Sequence, residues 1–430
     1  MEFAVRFNVL PATLLATLAL ILTGCSVNPV TGESQLSLIS ESQEMALGEE
    51  QYKPTVQIQG GEYTADPELA AYVSKVGQKL ARVSDRPDLP YEFVVLNSGV
   101  PNAWALPSGK IAINRGLLTK LEDEAQLASV LGHEIVHAAA RHSVQRMQQG
   151  MLLNAGIAGL GIALSDNDYA SLIMGGAAVG SQLTMAQYSQ GHELESDHYG
   201  IEYMVRAGYD PQAAVELQRI FVKLSEGQNA SWIDGLFASH PPSQERVNAN
   251  QALVDELGNP GGFRGKQEYS NHLAYLRSKQ PAYDAQEKAL EMAQAENLDG
   301  ALKKINEAIR IEPNEPAFYV LRGQILEEQD KSTAALKDFD KAVSLYPEMF
   351  SYRIHRGLGY LDADQLDAAQ ADLKAANDVV PTSIAYLRLG DIAARQGRKD
   401  EAVQYYSAIA DVEGEIGNEA RRKLADLQQS

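Results

Sequence analysis

The 430-residue chain has a single cysteine, Cys25, so no intrachain disulfide can form and the fold must rest on its apolar cores. It is short of positive charge: 37 Lys and Arg stand against 57 Asp and Glu, for a formal net charge of −20. That balance excludes the clustered basic footprint of a nucleic-acid-binding protein. An acidic chain also gains nothing from an anionic membrane surface, so membrane attachment needs a separate device. Long apolar runs are missing as well. The N-terminal run, Val9 to Leu22, is too short for a comfortable membrane span. Two Gly/Ala-rich runs between Gly150 and Leu183 are broken by Ser165-Asp-Asn-Asp168, and each falls short of the ~18 residues a span requires. Residues 150–183 read either as close-packed buried helices or as a mobile lid or membrane-skimming hairpin. With 45% apolar residues, a chain of this length suits two or three domains with real cores.

The lone cysteine has a position that explains it. Arg6 precedes the first apolar run, which ends in Leu22-Thr-Gly-Cys25, a secretory-signal arrangement. Leu-Thr-Gly-Cys resembles the bacterial lipobox. That resemblance implies a lipidated Cys25 as the mature N-terminus, and Ser26 after it implies sorting to the outer membrane. Residues 1–24 are therefore expected to be a lipoprotein signal peptide. Residues 25–50 are expected to be a tether and N-terminal segment, with a turn-rich start at Asn28-Pro-Val-Thr-Gly32.

The stretch with the clearest chemistry is Ser129-Val-Leu-Gly-His133-Glu134-Ile-Val-His137. In a helix, His133 and His137 lie on one face, one turn apart, and both imidazoles can reach a single zinc ion. Glu134 beside them can take a proton from a zinc-bound water. Leu127, Val130, Leu131 and Val136 give this helix an apolar face, and Glu122-Asp123 mark its start. Catalytic zinc usually takes three protein ligands. The third is sought in Gly191-His-Glu193-Leu-Glu195-Ser-Asp197-His-Tyr-Gly200, where Glu193, Asp197 and Gly200 share one helical face. Glu193 is assigned to zinc, one ion per chain, and Asp197 to orienting one histidine through its free ring nitrogen. Glu195 points about 200° away and is expected to be exposed. His142 and His198, offset from those faces, read as structural, and His192, His272 and His355 have no matching partners in the pattern.

Around this motif, residues 66–84, 188–208, 212–225 and 243–257 show helical spacing, whereas Tyr91–Leu96, Asn102–Leu106 and Lys110–Ile113 read as strands. The last two strands flank Pro107-Ser-Gly109, and either could be an edge for a substrate strand or simply core. Gly258-Asn-Pro-Gly-Gly262 marks a boundary. Beyond it Pro313, Pro347 and Pro381 recur every 34 residues, as do Ala301, Ala335 and Ala369, and Ala308, Ala342 and Ala376. This is the tetratricopeptide period, helix pairs that bury their apolar sides only by stacking. The fold expected is α+β: a mostly helical, zincin-like metallopeptidase domain at 51–257, a linker at 258–281, and an all-α solenoid of about four tetratricopeptide units at 282–430.

His133-Glu-x-x-His137 followed by Glu193-x-x-x-Asp197 resembles the HtpX- and BepA-type bacterial zinc metallopeptidases, which are gluzincins. Asn28-Pro-Val-Thr-Gly32, Asn102-Ala-Trp-Ala-Leu-Pro-Ser-Gly109 and Ser239-His240-Pro-Pro-Ser-Gln-Glu-Arg246 resemble stretches of the periplasmic branch, and the repeats point to its BepA-type members. One departure concerns the zinc region. The family often has Ala before the aspartate and Arg shortly before the glutamate; here stand Ser196 and no Arg, which leaves the local salt bridging open. The resemblance implies a lipid-anchored periplasmic zinc endopeptidase that hydrolyses peptide bonds of misfolded or unassembled envelope proteins, with repeats that dock partner proteins. An assembly chaperone or adaptor with a latent zinc site is the other reading, and Glu134 is the residue such an adaptor would not need. His240 lies in a Ser-His-Pro-Pro turn. It could serve catalysis as an oxyanion donor, hold the enzyme latent as a reversible fourth ligand, or merely belong to the cap of the next helix.

Overall fold

The structure, a computed structural model, describes residues 25–149, 187–226 and 235–429. The expected signal peptide, 1–24, and the Gly/Ala-rich region 150–183 lie outside the described residues. Among the described residues no helix is long and apolar enough to cross a membrane.

The hairpin β1 (Cys25–Val27) and β2 (Ser34–Leu36) opens the described chain. Its turn is set by Asn28, whose Oδ1 accepts the backbone N–H of Val30 at 2.9 Å, the local bond that favours Asn in turns. Asn28 is itself buried. This segment, expected as a tether, is therefore docked against the fold. Helix α1 (Glu41–Ile58) follows, started by a capping box between Ser40 and Gln43. Helix α2 (Pro67–Ala81) is capped by Asp66 and buries Leu69, Tyr72, Val73, Val76 and Leu80, the stripe that its spacing predicts.

Strands β3 (Glu92–Leu96), β4 (Ala103–Leu106) and β5 (Lys110–Asn114) form a sheet in the order β3-β5-β4. β3 runs parallel and β4 antiparallel to β5. β5 is thus central, and Ile111–Ile113 cannot offer the edge allowed for above; of the two strands considered there, β4 lies at an edge of this sheet, as β3 does on the other side. At the Pro107–Gly109 turn both Ser108 (φ 67°) and Gly109 (φ 79°) are left-handed, so the turn strains one residue beyond the expected glycine.

After the single turn α3 (Arg115–Leu118), helix α4 (Glu124–Ala139) carries the two-histidine motif. Asp123 caps it by accepting the N–H of Gln126 at 2.9 Å. Ser129 apart, every residue of α4 is buried. It packs among α2, the sheet, α5 (Gln190–Arg206) and α6 (Gln212–Glu226). The crossing of α4 and α5 is closed by two glycines. A Cβ on Gly200 would stand 3.1 Å from the backbone nitrogen of His133, and one on Gly132 would stand 3.1 Å from the carbonyl oxygen of Gly200. Gly200→Val is expected to force these helices apart at a cost of about 1–3 kcal/mol from overpacking. The melting temperature checks this; an unchanged value would show that the crossing is not close-packed. The short α7 (Leu236–Ser239) and α8 (Gln244–Glu256) complete this half.

The stretch 258–281, expected as a linker, is structured beyond its exposed turn at 258–262. It holds α9 (Lys266–His272) and the start of α10 (Ala274–Gln294). Tyr269, Leu273 and Leu276 are fully buried, and one apolar core runs through them from the α4 region into Ala301 and Phe318. Their i, i+4, i+7 spacing is the helical signal that the glycine-rich turn hid. Then come α11 (Leu298–Ile311), α12 (Pro316–Glu327), α13 (Ser332–Leu345), α14 (Phe350–Asp362), α15 (Leu366–Asn377), α16 (Ser383–Arg395), α17 (Lys399–Ser407) and the closing α18 (Glu415–Gln429). The period has a packing cause. Ala301, Ala335 and Ala369 are fully buried, as are Ala308, Ala342 and Ala376. A Cβ at Gly323 would meet the ring of Phe339 at 2.4 Å, one at Gly357 would meet Leu373 at 3.0 Å, and one at Gly390 would meet the ring of Tyr406 at 2.4 Å. Each glycine therefore makes room for a large side chain of its pair partner.

Candidate metal centre and its family

Helix α4 turns His133, Glu134 and His137 toward α5 and α7, and all three are buried. His133 and His137 approach each other through their Nε2 atoms, 3.0 Å apart. Across the glycine crossing, α5 presents Glu193, whose carboxylate is 3.5 Å from His133 Nε2 and 3.4 Å from His137 Nε2. His240, just past α7, places its Nδ1 3.0 Å from Glu193 and 3.3 Å from His133 Nε2. One ligand atom from each of these four residues lies within 4.8 Å of every other.

These residues fit zinc. Imidazole nitrogens and a carboxylate oxygen are its usual donors, and ligands at about 2.0–2.2 Å in a tetrahedron stand about 3.4 Å apart. The observed separations fall on both sides of that spacing. The far ring nitrogens are engaged elsewhere, which leaves the near ones free to point at one another. His133 Nδ1 is 2.9 Å from Asp197 Oδ1, and His137 Nδ1 is 2.9 Å from His142 Nδ1. Glu134 Oε2 and His240 Nε2, both buried, have no hydrogen-bond partner among the described residues. Glu134 Oε1 is 3.5 Å from that His240 nitrogen.

The salt bridging left open above is supplied from α8. Arg246 donates to both oxygens of Asp197 at 2.7 Å each and pairs with Glu193 at 2.7 Å. The arginine follows the carboxylates in sequence instead of preceding them. Burial works against ionising Glu193, but the charges of His240 and Arg246 hold its carboxyl well below the usual range. Asp197 is likewise lowered against its burial, mainly by Arg246. Burial raises Glu134 and lowers His137 well below the ordinary imidazole value. For His133 burial is outweighed by Glu193 and Asp197, which lift it to about 9.

Two residues depart from the expectation, and one alternative for a third falls away. Glu195 is half-buried, not exposed, because His142 Nε2 lies 3.2 Å from it. His192 does have a partner, as its ring stacks on His142 with centroids 4.2 Å apart. His240 is not the cap of the next helix; Ser243 is, accepting the N–H of Arg246. His272 and His355, stacked on Tyr72 and Phe339, belong to the packing. Sequence reasoning missed Tyr188, which stacks on His137 at 3.8 Å. It also missed the Glu44–Arg141 pair at 2.7 Å, which holds the left-handed Arg141 at the end of α4.

Comparison with known proteins agrees with this geometry. Residues 67–254 match peptidase family M48, and residues 287–349 and 355–415 match tetratricopeptide repeats. The chain is similar to the beta-barrel assembly-enhancing protease of Escherichia coli (strain K12), at 26% identity, covering 71% of this chain and 68% of that protein. It is similar to the mitochondrial metalloendopeptidase OMA1 of Schizosaccharomyces pombe at 29% identity, covering 53% and 66%. With metalloprotease YcaL of Escherichia coli (strain K12) the identity is 26%, covering 54% and 92%. The chain thus carries a peptidase family M48 domain joined to tetratricopeptide repeats, and it is a zinc-dependent metallopeptidase.

Proposed function

We propose that this metallopeptidase is a lipid-anchored periplasmic endopeptidase that cleaves envelope proteins in outer-membrane protein quality control. His133, His137 and Glu193 hold its zinc. The observation that carries the reading is the convergence of those three side chains beside a buried glutamate with an unspent oxygen. Bound there, zinc supplies Lewis acidity toward a peptide carbonyl and acidifies a water. Glu134, beside the group, would accept that water's proton and later deliver it to the leaving amine. Asp197 and Arg246 keep His133 and Glu193 in place.

A cleft of about 1090 Å³ lies between this domain and the repeats; Ser239 in its lining adjoins His240, although none of the four grouped residues lines it. A role in β-barrel assembly is supported by the name of the Escherichia coli relative. Anchoring at the outer membrane is supported by Cys25 in its lipobox-like setting, with Ser26 after it.

The adaptor reading draws support from one observation, the closeness of His240 to Glu193 and His133. We assign His240 the role of a reversible fourth ligand that keeps the peptidase latent. His240→Ala is then expected to raise casein turnover severalfold. Unchanged turnover would remove the latency role, and a fall to background would make His240 a catalytic donor instead. Digestion that survives exhaustive chelation would remove the peptidase assignment altogether.

A further inference from the structure

We infer that His142 and Glu195 are positioning residues for His137, acting through its far ring nitrogen. The inference rests on the proposed ligand role of His137. An imidazole that binds metal through Nε2 is unprotonated there, so its proton sits on Nδ1. In His137 that nitrogen lies 2.9 Å from His142 Nδ1. His137 therefore donates, and His142 accepts on Nδ1. The neutral His142 ring then carries its own proton on Nε2, 3.2 Å from Glu195 Oε1. An ionised carboxylate only accepts. The donor–acceptor roles close without conflict as a chain from His137 to His142 to Glu195.

The surroundings hold this chain in place. His142 is fully buried and stacked on His192. Ser196 Oγ, 3.4 Å from His142 Nδ1, provides a second polar neighbour. Asn28 Nδ2 approaches Glu195 Oε1 at 3.5 Å, which ties the N-terminal hairpin to the same carboxylate. The two imidazoles of the motif are thus oriented differently. Asp197 holds His133 directly, whereas Glu195 holds His137 through an intervening ring. Such outer partners fix tautomer and ring orientation and raise ligand basicity.

The test measures zinc affinity of the full chain by competition with a chromogenic chelator, together with the melting temperature of each metal-free variant. His142→Phe keeps a stackable ring but removes the acceptor, and affinity should fall about 10–100-fold. Glu195→Ala, at a half-buried position, should lower affinity about tenfold. Glu195→Gln keeps an accepting oxygen and should recover most of that loss. If Glu195→Ala binds zinc within twofold of wild type, the chain has no positioning role. A Glu193→Ala control separates the two levels: equal affinity in wild type and in that variant would overturn the ligand reading itself.

Discussion

Glu134→Gln is expected to lower peptide-bond hydrolysis by about 10²–10⁴-fold, the span that a positioned general base contributes, with zinc content at the wild-type level. The side chain is buried and nearly isosteric with its replacement; among the described residues Oε1 stands 3.5 Å from His240 Nε2 and Oε2 is unpaired. Its removal therefore leaves the packing of α4 intact while taking away the one carboxylate in the group that zinc does not need. Steady-state cleavage of casein, with metal content determined on the same samples, checks both halves. Loss of zinc together with activity would make Glu134 structural.

Arg246→Met is expected to produce the largest loss of stability. Its guanidinium is buried and serves two buried carboxylates at once, donating to both oxygens of Asp197 and forming an ion pair with Glu193 at 2.7 Å. It also donates to the Pro241 carbonyl at 3.2 Å, beside His240. Removing one partner from a buried charge network costs about 3–5 kcal/mol. For a domain of this size that is a fall of about 10 °C in melting temperature. Both carboxyls titrate below their ordinary range, so their contribution is fully present above about pH 4 and is lost as pH falls through their lower folded values. Arg246→Met should remove that acid-sensitive share at neutral pH. Arg246→Lys keeps the charge without the fork and should recover only part of it. A melting temperature within 2–3 °C of wild type in Arg246→Met would mean that the network contributes little.

Local periodicity explains what could be read from the sequence. His133 and His137, like Glu193 and Asp197, are one helical turn apart, so each pair shares a face whatever surrounds it, and the structure turns both faces toward each other. The 34-residue period needs only that each helix pair repeat its contacts, which Gly323, Gly357 and Gly390 do. Features that depend on which elements meet were not legible. Nothing local says that Arg246 of α8 ends between two carboxylates of α5, or that His142 turns back under His137. The same limit misplaced Glu195. The helical wheel puts it off the face of Glu193, and the wheel does not know that His142 and Asn28 approach from that side. The sheet order was undetermined for the same reason, since three short apolar strands do not reveal which is central.

Crystals grown with zinc and measured at its absorption edge test the central claim most directly. One anomalous peak per chain is predicted in the domain, about 2.0–2.2 Å from His133 Nε2, His137 Nε2 and the Glu193 carboxylate. No peak there, or one that leaves Glu193 out of contact, would contradict the account.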